Sequence, residues 1–104
     1  MLDLAAVEGF EWDEGNAPKN ERKHGVLPAE AEQVFLSGHL LVVPDEGHGG
    51  RESRYHALGE TDAGRKLHVT FTMRRNGTRI RVISARAMNR KERLRYEEAI
   101  EARS

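Results

Sequence analysis

Between residues 65 and 95, apolar and polar positions first alternate with a period of two and then take on a helical spacing. Leu67, Val69, Phe71 and Met73 interleave with His68, Thr70, Thr72 and Arg74, the pattern of a strand with one buried and one polar face. Asn76-Gly77 supplies a turn, and a second run over 79–86 is again β-branched and basic. Asn89 follows as a helix cap, with Glu92 at the capping-box spacing. From Arg90 onward Tyr96, Ala99, Ile100 and Arg103 share one helical face, which lays Tyr96 and Ile100 on the sheet. The hairpin thus has a greasy face and a cationic one.

The remaining elements follow the same logic. Residues 1–9 start apolar without a clean period and fit a short helix, an added strand or a loose terminus. Phe10-Glu11-Trp12-Asp13 alternates aromatic with acidic, which suits a short strand with both rings on the core, where Trp12 serves as an anchor. Residues 14–24 have helical composition, with Pro18 in the first turn, Lys23 and His24 complementing the dipole in the last, and Gly25 just past the end. Pro28 opens a second helix whose Ala31, Val34 and Phe35 form an apolar stripe, stopped by Ser37-Gly38. A strand is predicted over 40–43, ended by Pro44, then a polar glycine-rich loop over 45–52, a strand over 54–59 and a turn over 61–64. The order predicts an α+β fold: an antiparallel sheet, two N-terminal helices covering one face, and a C-terminal helix.

Length and composition narrow the picture. A chain of 104 residues makes one domain, burying roughly 60 to 70% of its unfolded surface. It has no cysteine, hence no disulfide framework or thiolate metal site, and it shows no apolar run near membrane length and no signal-peptide pattern. A soluble cytoplasmic protein is the expectation. The formal net charge of zero conceals a division: residues 1–50 hold 3 Lys/Arg against 10 Asp/Glu, and residues 65–95 hold 11 basic residues and one acid. Such a field attracts phosphates or acidic proteins, unless the strand arginines are simply solvated and paired with the acidic half.

Candidate chemistry is limited. The five histidines are scattered, with no HExxH, so no metal site is expected. Neither G-x-S-x-G nor a phosphate-cradling glycine motif occurs, and acids are sparse where the basic residues gather. Phosphodiester cleavage fits better: RNA can be cut without metal when a base takes the 2′-OH proton, cations stabilise phosphoryl charge and an acid protonates the leaving oxygen. His24, His56, His68 and Tyr96 are the candidates for proton transfer. His56 shares a strand face with Arg54, and His68 shares one with Thr70, Thr72 and Arg74. Arg90, Lys91 and Arg93 occupy a helix first turn, where the dipole disfavours each by about 0.3 to 1 kcal/mol, which suggests they are held for an anion.

One family matches this set of motifs. Phe10-Glu11-Trp12-Asp13, Asn20 with Lys23-His24-Gly25-Val26, Glu30-Ala31 with Val34-Phe35, Glu52 and Arg54-Tyr55 with Gly59, and Gly64-Arg65 with Val69 and Thr72 are followed by Ile80-Arg81-Val82-Ile83-Ser84-Ala85-Arg86, Glu92 and Tyr96. Together they resemble the BrnT family of ribonuclease toxins from type II toxin–antitoxin systems, over nearly everything from Phe10 to Tyr96. The resemblance implies a RelE-like fold, RNA cleavage that arrests translation without a cofactor, and neutralisation in an oligomeric complex by a BrnA-type antitoxin that also binds operator DNA. By motif position it points to Lys23, His24, Arg54, Arg65, Thr72, Arg74, Arg86 and Tyr96. Joined to the reading of the residues, this gives a catalytic set of Lys23, His24, His56, Arg74, Arg86 and Tyr96. The RNA-binding set is Arg54, Arg65, His68, Thr72, Arg81, Arg90 and Lys91. Two positions depart from the family: Asn16 replaces a lysine often found after the WD motif, and Ser37-Gly38 replaces an Asp-Pro. The competing reading is a member of the same fold that binds antitoxin or nucleic acid without cutting.

Overall fold

The computed structural model describes residues 2–45 and 53–103. A 3₁₀ turn at Leu4–Ala6 precedes β1 (Gly9–Glu11), α1 (Asn16–His24), α2 (Pro28–Phe35), β2 (Leu41–Pro44), β3 (Arg54–Glu60), β4 (Lys66–Arg74), β5 (Arg79–Ala87) and α3 (Arg90–Arg103). The strands form one sheet in the order β1-β5-β4-β3-β2. The α+β class matches the expectation from sequence, with one difference: β1 lies parallel to β5, so the sheet is mixed. A parallel partner so distant in sequence leaves no turn signal to read. Pro44 closes β2 rather than ending the chain's pairing before it, a position open to proline because β2 is an edge strand. The glycine-rich loop predicted over 45–52 lies, beyond Asp45, outside the described residues.

One face of the sheet carries Leu67, Val69, Phe71, Ile80, Val82 and Ala85, all buried with Ala31 and Val34 of α2 and with Val26. Phe35 meets Phe71 edge-on at 4.9 Å, and Phe10 and Trp12 join the same core, as do Leu2, Leu4 and Val7 of the N-terminal segment. Trp12 also has a polar tie, its Nε1–H donating to Glu32 at 2.8 Å. Asn20, almost fully buried, fixes α1 to β5 by accepting from the Ala85 N–H at 3.2 Å. Gly25 stops α1 in the left-handed region at φ 65°, the conformation its sequence position predicts.

The α2–β3 contact is unusually close. A Cβ on Gly59 would lie 3.0 Å from both the Val34 carbonyl oxygen and Val34 Cγ1, and backbone cannot yield as a flexible side chain does. Gly59→Ala is expected to cost about 1 to 3 kcal/mol, read as a lowered urea midpoint with unchanged slope.

The other sheet face is polar, and a bulge keeps it so. Thr70 pairs with Ser84 and Phe71 with Val82, which leaves Ile83 as an extra residue in β5. Without it, Arg79 and Arg81 would face opposite to Ser84 and Arg86. With it, all four share the face of His68, Thr70, Thr72 and Arg74. Part of this face is taken by α3: Tyr96 packs with Leu58 and Met88, and Ile100 and Leu41 adjoin them. Among the described residues no helix is long and apolar enough to cross a membrane.

Candidate active site

Strand register assembles the site. His56 stands opposite Thr70, and Leu58 opposite His68, which in turn faces Arg86. His56 and His68 therefore sit diagonally across β3 and β4, close enough for long side chains to touch. Their rings meet edge-to-face with centroids 4.8 Å apart, and His68 Nε2 lies 2.9 Å from His56 Nδ1. Thr70 Oγ1 is 3.0 Å from the same His56 nitrogen. Leu58 and the α3 contact form the floor beside the pair.

Two carboxylates flank the pair. Glu92 Oε2 is 2.7 Å from His68 Nδ1, and Asp45 Oδ2 is 3.3 Å from His56 Nε2. Arg86 grips Glu92 with both terminal nitrogens, at 2.8 and 2.9 Å. The capping box predicted at Asn89 is also present: Asn89 N–H donates to Glu92 Oε1 at 2.9 Å, and Glu92 N–H donates to Asn89 Oδ1 at 2.8 Å. One glutamate thus caps α3, neutralises Arg86 and orients His68.

The electrostatics order the protons along this chain. Burial alone would raise the Glu92 carboxyl, but the Arg86 guanidinium, the Asn89 N–H and His68 outweigh it and hold it at about 2. Burial pushes the His68 imidazole below its ordinary range, against the pull of Glu92 and reinforced by Arg86 and His56. Near pH 7 His68 is therefore neutral beside an ionised Glu92. Arg86 Nη2, 3.0 Å from His68 Nδ1, can only donate, and ionised Glu92 can only accept. A proton on His68 Nδ1 satisfies all three, since Nδ1 and Nη2 then both donate to Glu92. Nε2 of His68 is left as an acceptor for His56 Nδ1–H, and the far nitrogen of His56, Nε2, faces Asp45.

Residues 12–92 match the sequence profile of the family described as the ribonuclease toxin, BrnT, of type II toxin–antitoxin systems. The chain belongs to the BrnT family. Among solved structures, the crystal structure of the Brucella abortus ribonuclease toxin BrnT aligns with a TM-score of 0.61 and 25% identity, over 79% of this chain and 97% of that one. Curated protein sequences give no match. The BrnT family accounts for the mixed α+β architecture, and its ribonuclease description implies an RNA target and an antitoxin partner.

Of the candidates drawn from the BrnT motifs and the residue patterns, the structure gathers His56, His68 and Arg86 into one chain of contacts. Arg54 lies on the same face as His56, two residues along β3 and so roughly 7 Å away. Arg74 and Arg81 continue that face, and Arg81 is held by Asp13 at 2.9 Å. Thr72 is buried and spends its hydroxyl on the Ser53 carbonyl at 2.8 Å, which makes it a strut for the start of β3. Tyr96 is placed elsewhere, 1% exposed in the α3 cluster. Burial, then Glu60, raise its hydroxyl above the usual phenol range; Ser37 approaches it, but among the described residues no well-formed hydrogen bond satisfies it. Lys23 and His24 end α1, whose packing against β5 and the Asn20 anchor belongs to the core side of the sheet. Arg65 is tied to Glu30 at 2.8 Å and to the Gly25 carbonyl at 3.0 Å. Arg90 and Lys91 are exposed at the start of α3.

Sequence reasoning missed both carboxylates. Glu92 was legible as a cap and as a motif position but not as the partner of His68 and Arg86, and Asp45 only as the first residue of a loop. The expectation of few acids at the site is corrected by these two, and the acidic first half reaches the basic strands through Glu11–Arg75, Asp13–Arg81 and Glu30–Arg65.

Proposed function

We propose that the His56–His68 pair is the proton-transfer centre of a metal-independent endoribonuclease that inhibits translation in the cytoplasm and is neutralised by a BrnA-type antitoxin in an oligomeric complex. The observation that carries the reading is the chain Arg86–Glu92–His68–His56, in which one imidazole is fixed from behind and the other, the more accessible, turns its far nitrogen Nε2 toward Asp45 at 3.3 Å. His56, with its side chain about twice as accessible as that of His68 (26% against 13%), is the one that meets RNA. It takes the 2′-OH proton while water protonates the leaving 5′-oxygen, or protonates that oxygen while water takes the 2′-OH proton, as the 2′-oxygen bonds to phosphorus and the P–O5′ bond breaks. His68, Glu92 and Arg86 act as positioning residues: Arg86 is spent on Glu92 and the Ala87 carbonyl. Arg54 makes no ion pair among the described residues and is the cation proposed to meet charge on the phosphoryl oxygens, with Arg74 and Arg81 following the backbone.

The direct test is incubation of purified protein with RNA in excess EDTA. Cleavage at an undiminished rate is expected, with Arg54→Ala slower by about 10²-fold. RNA left intact by folded protein, with or without added divalent ions, would sink the enzyme reading in favour of a binding module.

A further inference from the structure

On its side away from the histidines, the first half of α3 borders a cavity of about 570 Å³ between the helix and the ends of β4 and β5. Arg65, Lys66, Arg90 and Arg93 line it, with Glu97 the one carboxylate and Leu94, half exposed, as an apolar wall. These cations are not equivalent. Lys66 is held by Glu97 at 2.7 Å, and Arg65 by Glu30 and the Gly25 carbonyl, both through Nη1. They are pinned in place and leave the rest of the Arg65 guanidinium for another acceptor. Among the described residues Arg93 feels the pull of Glu97 one turn on, already shared with Lys66. Arg90 has no ion-pair partner among the described residues. With Arg65 paired to Glu30 and Lys66 to Glu97, the positive charge of Arg90 and Arg93 is left in excess on this concave surface, and an anion would balance it.

Location indicates whose charge it is. Ala87 and Met88, which line the cavity, follow Arg86 directly in the chain, so the cavity and the histidine row are separated only by the first turn of α3. Glu92 on one side of that turn holds His68, and Arg90 and Arg93 on the other line the cavity, so RNA running from His56 to the cavity would cross one turn of helix. We propose that the cavity is a second RNA subsite, taking the phosphate of a nucleotide flanking the cut between Arg90, Arg93 and Arg65, with its ribose or base against Leu94. This rests on the ribonuclease reading for the direction of the strand, but its test does not require cleavage.

The probe is a short single-stranded 2′-O-methyl oligoribonucleotide, which has no free 2′-OH and cannot be cut by this chemistry. Its affinity is measured against salt for wild type, for Arg90→Gln with Arg93→Gln, and for His56→Ala. Both arginines are exposed, so their replacement leaves the core intact, checked by an unchanged thermal melt. The double variant is expected to bind about tenfold more weakly, with a salt slope shallower by roughly 0.7 for each phosphate it no longer neutralises. His56→Ala is expected to lose cutting and to lose much less affinity than the double variant. Equal affinity and slope in wild type and the double variant would overturn the subsite while leaving cleavage at His56 standing. Arginine-dependent binding by a protein that cuts no RNA would do the reverse. If the double variant binds the oligonucleotide normally but loses hold of an acidic peptide, the cavity is a protein contact and the RNA assignment is wrong.

Discussion

Replacing His56 with alanine is expected to slow RNA cleavage by about 10²- to 10⁴-fold, the range for removal of a positioned acid or base. The size of the effect follows from geometry: His56 is the ring at the solvent end of the chain, and nothing behind it can reach in its place, because His68 is locked to Glu92 at 2.7 Å. His68→Ala predicts a different signature. It removes one of the two groups that meet His56 Nδ1 and leaves Thr70 Oγ1 as the other, so cleavage falls less, and the pH–rate profile changes because a second titrating imidazole is lost from contact with the reacting one. Equal losses with identical pH profiles would contradict the division into a reacting and a positioning imidazole. Rate measurements between pH 5 and 9 on both variants decide it.

Glu92→Gln carries the second large effect, on stability and activity together. Glutamine can still accept from the Asn89 N–H, so the cap survives while the charge that binds Arg86 and His68 is lost. The folded carboxyl sits at about 2 against an ordinary 4.5. Its folded value is depressed, so its stabilisation is present in full above about 4.5 and fades as pH falls toward 2. That gap corresponds to at most about 3.4 kcal/mol, and with a fifth of the side chain accessible we expect about 2 kcal/mol at pH 7. In a domain of this size that lowers the melting temperature by about 8 °C or more. Near pH 3 the difference between wild type and variant is expected to shrink. A constant gap from pH 7 to pH 3 would show that packing, not charge, carries the loss.

Comparison with the sequence shows which information is local. The capping box at Asn89, the left-handed stop at Gly25 and the alternation over 67–74 were legible because each depends on residues a few positions apart. The face of β5 was not, since Arg79 and Arg81 have opposite parity to Ser84 and Arg86, and only the bulge at Ile83 reconciles them. Candidate histidines were legible as a set, but the contact between His56 and His68 depends on the register of β3 on β4. That register comes from the turn joining the two strands and from burial of Val69 and Phe71. Glu92 was legible as a cap and as a motif position, but its hold on His68 and Arg86 depends on where α3 lies on the sheet. The parallel pairing of β1 left no sequence trace at all.

That pairing bears on how the protein comes into being. Phe10 is partnered by Ile80, so β1 is placed only after β4 and β5 have been made. Helices α1 and α2 leave the ribosome with no sheet to rest on, while β3, β4 and β5 form a meander of short-range pairings able to fold quickly once complete. His56, His68, Arg86 and Glu92 all lie in that late half. A nascent chain that stops short of Glu92 lacks both the carboxylate that holds His68 and Arg86 and the cap of α3, so the contacts along the histidine row arrive together, once α3 has begun to form.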